Sequence, residues 1–205
     1  MLRPGAAARL AAIGLASLIN SGFSLQHPCT MATTRILLLL LCTAPAFGDW
    51  LPHRDLLKKD AEAAAIQIIA LAEKELSVRE QGGNNSGPQV ETYLQYVGLG
   101  KGHAWCAAFL SWLHGQAGLK QPRSGWSPGL FPSSRRISAA KPGALLGIYI
   151  GSLRRIAHVG LVTGVRQDWI ESIEGNTNAQ GSREGDGVYR RLRHRRSIYA
   201  YAYYL

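Results

Sequence analysis

Residues 100–118 read GKGHAWCAAFLSWLHGQAG. The apolar run from Ala104 to Gln116, closed near Gly118, predicts a buried helix. Its single cysteine, Cys106, falls in the first turn. Unpaired backbone N–H groups and the positive end of the helix dipole favour an anion there, so the position acidifies a thiol. The same N–H groups can receive an oxyanion when a carbonyl is attacked. The plainer alternative is that Cys106 packs with Leu110, Leu113 and Ala117 as one more small hydrophobe.

Working outward, DLLKKDAEAAAIQIIALAEKEL (55–76) places Leu57, Ala61, Ala64, Ile68 and Leu71 on one stripe and predicts an amphipathic helix. REQGGNNSGP breaks it, and Pro88 opens a second short helix through QVETYLQYVG. Beyond Gly125 the texture changes. ALLGIYI, IAHVGLVTGV, DWIESIEG, GVYRRLR and SIYAYAYYL are short β-branched or aromatic runs split by Gly, Asn and Asp. Helices followed by an antiparallel sheet describe an α+β domain.

A thiolate nucleophile needs a base, and the strand RRIAHVGLVTGV offers His158. By alternation His158 shares a face with Ile156, Gly160 and Val162, opposite Ala157, Val159, Leu161 and Val165. VRQDW reads as a hairpin turn. An odd-length loop centred on Arg166 or Gln167 pairs residues whose numbers sum to an even value, which sets His158 opposite Glu174 or Asn176 in IEGNTN. A carboxylate or amide accepting from one imidazole nitrogen fixes the tautomer and leaves the other nitrogen for the thiol. On this reading Glu174→Gln lowers turnover with little change in thermal midpoint.

The 205-residue chain carries 23 Lys and Arg against 13 Asp and Glu, and 46% of its residues are apolar, enough for one packed core. MATTRILLLLLCTAPAFGD has one positive charge at Arg35, a short apolar run and small residues at Ala46 and Gly48. It reads as a cleaved export signal that yields a mature N-terminus at Asp49, with an apolar run too short to span a bilayer. A second signal-like segment precedes it, which argues that translation starts at Met31. Residues 1–48 are thus read as leader and 49–205 as the domain. Three of the basic residues (Arg3, Arg9, Arg35) belong to the leader, which leaves 20 against 13 in the domain. Cys29 and Cys42 are lost with the leader, so Cys106 remains alone and no intramolecular disulfide is expected.

GHAWCAAFLSW, RIAHVGLV and IEGNTN, in this order and at these intervals, resemble the CHAP domain of cysteine- and histidine-dependent amidohydrolases and peptidases. The resemblance covers about residues 76–205, including GNNSGP and GDGVYRR. It implies a papain-like fold, with N-terminal helices packed on a C-terminal antiparallel β-sheet, and cleavage of an amide or peptide bond in peptidoglycan. It also implies Cys106 as nucleophile, His158 as base, Glu174 as the residue orienting it and Asn176 as an auxiliary polar partner. Two positions depart from the family pattern: Ala144 stands where a Pro-Gly-Asp turn has Asp, and Leu113 where some relatives carry a second cysteine.

The expected protein is a monomeric, exported hydrolase, periplasmic or secreted, with no cofactor, metal or permanent membrane anchor. A zinc site from His103, Cys106 and His158 lacks paired ligand spacing. RRLRHRR (190–196) offers Arg190, Arg191, Arg193, Arg195 and Arg196 to an anionic wall or envelope polymer, with nucleic acid disfavoured and a merely solvated face as the alternative. Trp105, Trp112, Trp126 and Trp169 either line a substrate groove or pack in the core. The rival function is a non-catalytic cell-wall or polyanion-binding protein that has kept the fold; rival chemistries are transpeptidase-like acyl transfer and cleavage of a non-murein amide.

Overall fold

The computed structural model describes residues 50–180, 182 and 185–205. The leader over 1–48, the start at Met31, Cys29 and Cys42 lie outside the described residues. Among the described residues three α-helices come first: α1 (Trp50–Lys74), α2 (Pro88–Tyr96) and α3 (Cys106–Gln116). Six strands follow: β1 (Arg136–Ile137), β2 (Leu145–Ile150), β3 (Arg155–Arg166), β4 (Trp169–Thr177), β5 (Gly187–His194) and β6 (Ala200–Ala202). They form one antiparallel sheet in the order β1-β6-β2-β3-β4-β5. The architecture is therefore α+β. No described helix is long and apolar enough to cross a membrane.

The helix α1 forms because Ala, Leu, Glu and Lys dominate it, but its buried face is shorter than its sequence stripe. Ala65, Ile68 and Ala72 reach the core, whereas Leu56 and Leu57 are more than half exposed. Over the first turns, residues 53–60, every side chain is exposed among the described residues. Pro88 starts α2, and the Glu91 carboxylate accepts from Ser86 Oγ (3.1 Å) and Gly87 N–H (3.4 Å), satisfying donors at the helix start. Gly118, at φ +80°, ends α3, and the Leu119 N–H returns to the His114 carbonyl (2.9 Å).

As α3 is apolar on nearly every side, it must lie inside. Phe109, Leu110 and Leu113 form one cluster with Ile68 of α1, Val90 and Leu94 of α2, and Val159, Leu161, Ile173 and Val188 of the sheet. Truncating any of these buried side chains to Ala costs about 2–5 kcal/mol. On the other face Ala144, Leu146, Val162 and Ile170 make a smaller cluster, covered by Ile137, Ile198 and Tyr201.

The β3–β4 hairpin corrects the expected loop. Arg166 pairs with Trp169, so the turn has two residues, with Gln167 at φ +54°, and the sum next to the turn is odd. The pairing then slips between Val162 and Gly164, leaving Thr163 as an extra residue, and continues as Val162 with Ser172 and Leu161 with Ile173. This bulge restores the even sum. A second slip, between β2 and β3, leaves Ala157 unpaired beside His158. It breaks the simple alternation: Ile156 joins Val159 and Leu161 in the main core instead of sharing the face of His158.

Candidate active site

Cys106 opens α3 as its first residue, and Trp105 before it carries no side-chain cap. The thiol is nearly buried and lies 3.5 Å from the Ser127 hydroxyl, on a 3-10 turn that follows α3. Burial pushes the thiol pKa up. Contact with His158, then the Ser127 hydroxyl and the Ala107 N–H, more than offset it, so the thiol sits below its ordinary value.

His158 is buried on β3 at the Ala157 bulge, where an extra residue re-aims a side chain. Its Nε2 lies 2.8 Å from Glu174 Oε2. The carboxylate only accepts, so Nε2 carries the proton and donates. The other nitrogen, Nδ1, meets no hydrogen-bond partner among the described residues, and it is the one left for Cys106. Imidazole and thiol shift each other's titration without being drawn to full hydrogen-bond geometry, as is common before a reacting complex forms. Burial lowers the His158 pKa, but the interactions with Cys106 and Glu174 outweigh it and raise it to about 9.

Glu174 is fully buried and saturated with donors. Besides His158 it accepts from Ser172 Oγ (2.7 Å), from Arg193 Nε (2.9 Å) and from Arg193 Nη2 (2.6 Å). Burial alone would raise its pKa; Arg193, then His158, reverse the sign and hold it at about 2. The ladder register continued past Leu161 and Ile173 sets Gly160 opposite Glu174. The carboxylate reaches His158 across this glycine: a Cβ on Gly160 would stand 2.6 Å from Glu174 Cγ and 3.2 Å from Cδ. Because that side chain is held by four donors, it cannot step aside cheaply. Gly160→Ala is expected to slow Cys106 chemistry by about tenfold to a hundredfold through displacement of Glu174, and to lower stability by about 1–3 kcal/mol. Iodoacetamide kinetics and a thermal melt check both, and a native alkylation rate in the folded variant would show that the Glu174 position does not matter.

Asn176 is placed differently from the expectation. It sits at φ +54° on a slip in the β4–β5 ladder, which turns it off the regular face. With its amide oriented to suit its neighbours, Oδ1 accepts from the Trp105 N–H (3.0 Å) and Nδ2 donates to the Gly185 carbonyl (3.2 Å). Asn176 thus braces the backbone that presents Cys106 and is not bonded to the imidazole. Glu80 adds to the brace by accepting from Trp105 Nε1 and the Asn85 N–H, both at 2.8 Å. Glu80 and Ser127 escaped the sequence reading; the turn-forming SP of GWSPG was the available signal for Ser127.

The basic run does not form a single face. Arg190 pairs with Glu73 (2.8 Å), Arg191 donates to the Asn178 and Ala179 carbonyls, Arg195 pairs with Asp168 (3.2 Å), and Arg196 is exposed. Arg193 turns inward to Glu174. Of the tryptophans, Trp105 is buried and Trp112 partly buried, while Trp126 (60% exposed, adjacent to Ser127) and Trp169 (44%) reach solvent. The His103 ring lies against the Gly100 carbonyl (3.0 Å), and among the described residues no group of His, Cys, Asp and Glu is arranged to hold a metal.

No family model matches the chain, and no curated protein matches it. Among solved structures the chain is similar to the crystal structure of Ly7917, at 17% identity and a TM-score of 0.34. That match covers 47% of this chain and 51% of the other, so it spans about half of each; a likeness of this size bears on neither fold nor activity.

Proposed function

We propose that the chain is a cysteine-dependent amidase or endopeptidase with a CHAP-like, papain-like catalytic domain, and that its substrate is peptidoglycan in the cell envelope. One observation carries the reading: a thiol at a helix N-terminus is coupled to a buried imidazole whose far nitrogen is held by a carboxylate at 2.8 Å. A purely binding surface has no use for that combination.

In the proposed reaction His158 Nδ1 takes the Cys106 proton and the thiolate attacks an amide carbonyl carbon. Backbone N–H groups at the start of α3 hold the oxyanion. The imidazolium then gives its proton to the leaving amine as the C–N bond breaks. Water, deprotonated by His158, releases the acyl group and regenerates the thiol. Glu174 holds the imidazole in one tautomer and stabilises its charged form. The exposed Arg190, Arg195 and Arg196 remain accessible to an anionic envelope polymer, since surface ion pairs exchange at little cost. The proposed bond is either the amide joining sugar to stem peptide or a peptide bond within the stem or bridge.

Purified sacculi test the reading. The protein is expected to clear their turbidity and release fragments that each carry a new amine or carboxyl terminus by mass spectrometry. Retention on sacculi without any release would favour a wall-binding protein that has kept the fold.

A further inference from the structure

Arg193 stands apart from the other arginines of its run. Its side chain is only 16% exposed, and it meets Glu174 as a fork, Nε on one carboxylate oxygen and Nη2 on the other. Two parallel N–H···O bonds fix the plane of a carboxylate, which a single contact leaves free to rotate. The same two oxygens serve His158 Nε2 and Ser172 Oγ, so fixing that plane also fixes where the imidazole can point. A fully buried carboxylate is costly to ionise without a paired cation.

We infer that Arg193 is a positioning residue of the cysteine centre, which acts through Glu174: it fixes the carboxylate plane and keeps the carboxylate ionised, so that His158 holds one orientation and one tautomer. The inference rests on the cysteine-nucleophile reading above and adds a residue to it.

The groups around Glu174 are His158 from β3, with Cys106 of α3 beyond it, Ser172 on β4 itself, and Arg193 and Tyr189 from β5, Tyr189 standing opposite Glu174 in the ladder. Tyr189 gives its hydroxyl to Asp186 (2.8 Å) and stacks under Arg79, so it does not compete for the carboxylate. Among the interactions that lower the Glu174 pKa, the hydrogen bonding from Arg193 is the largest single one. Without it the folded-state pKa rises. The carboxylate then becomes neutral at a higher pH, and His158 loses its counter-charge as pH falls through that value.

The test is the rate of Cys106 alkylation by iodoacetamide against pH, which needs no knowledge of the natural substrate. Arg193→Gln is expected to move the acid limb of the curve toward neutrality by about one pH unit or more. Arg193→Lys keeps the charge but not the fork; it should hold the limb nearer its native place while reducing the rate on the plateau. Because the effect passes through Glu174, Arg193→Gln should change little further in a Glu174→Gln background.

A Gln variant whose curve superposes on the native one overturns the inference. So does an undiminished effect in the Glu174→Gln background, or slowed sacculus clearing with a native alkylation curve, which would place Arg193 on the substrate. If Arg193→Gln does not fold, the Lys variant alone and with Glu174→Gln decides by the same criteria. Failure of the native Cys106 to alkylate at all would overturn the nucleophile reading itself, and the role of Arg193 with it; a native curve in Arg193→Gln fails only the latter.

Discussion

Cys106→Ala is expected to remove turnover by about four orders of magnitude or more, with the thermal midpoint displaced by only a few degrees. No neighbour can replace the sulfur. Ser127, 3.5 Å away, carries a hydroxyl that is not acidified as a thiol is, and among the described residues it makes no hydrogen bond to the imidazole. The fold loses little, because Cys106 contributes one sulfur to a cluster anchored by Phe109, Leu110 and Leu113; the cavity left costs about 1 kcal/mol. Sacculus clearing and a melt measure the two effects. Sustained hydrolysis by the folded alanine variant would sink the mechanism.

The same substitution has a signature in pH. The His158 pKa is raised in the folded chain to about 9, so the stability it contributes is fully present below its unfolded value and is lost as pH rises through about 9. Part of that rise comes from Cys106. In Cys106→Ala the folded value falls, and the alkaline loss of stability should begin at lower pH than in the native protein. Identical alkaline melting curves for the two proteins would mean that thiol and imidazole are not coupled.

What the sequence disclosed depends on how locally each feature is determined. The extent of α3 was legible because an apolar run and Gly118 mark it without reference to anything else. The placing of Cys106 at its start follows from the same marks. His158 and Glu174 could be brought toward one another by strand parity alone, but the route was not the expected one. The turn has two residues, giving the wrong parity, and the bulge at Thr163 reverses it. A bulge is an extra residue with no obligatory type, so the Gly164 after it was a hint and nothing more.

Asn176 and Arg193 show where that kind of reasoning stops. Asn176 has the right parity to meet the imidazole, yet a left-handed backbone turns it toward Trp105; only the packed position of the α3 start offers it that N–H. Arg193 lies among five arginines whose charge pattern is that of a solvated face. What singles it out is a buried carboxylate two residues along the neighbouring strand from Ser172, the partner of Arg191. Leu57 fails for the converse reason: it continues the α1 stripe, yet among the described residues it stays 55% exposed.

Glu174→Gln is expected to slow turnover by about a hundredfold to a thousandfold and also to lower the thermal midpoint by about 5–15 °C, in place of the nearly unchanged midpoint that sequence alone suggests. Four donor contacts converge on the two carboxylate oxygens, from His158, Ser172 and the fork of Arg193. Glutamine keeps the shape but turns one oxygen into an NH2 group, which must face a donor in a site with no water-exposed escape. Arg193 is left with a neutral partner while only 16% exposed, and breaking a pair of this kind costs about 2–4 kcal/mol after allowance for that exposure. At about 2–4 °C per kcal/mol for a domain of this size, the midpoint shift follows. His158 loses the carboxylate that helps to raise its pKa, so the alkaline limb of Cys106 reactivity should move to lower pH. Melting curves and the pH profile of iodoacetamide alkylation measure both effects. A folded Glu174→Gln protein with native midpoint and native profile would show that the buried Arg193–Glu174–His158 chain neither holds this site together nor tunes it.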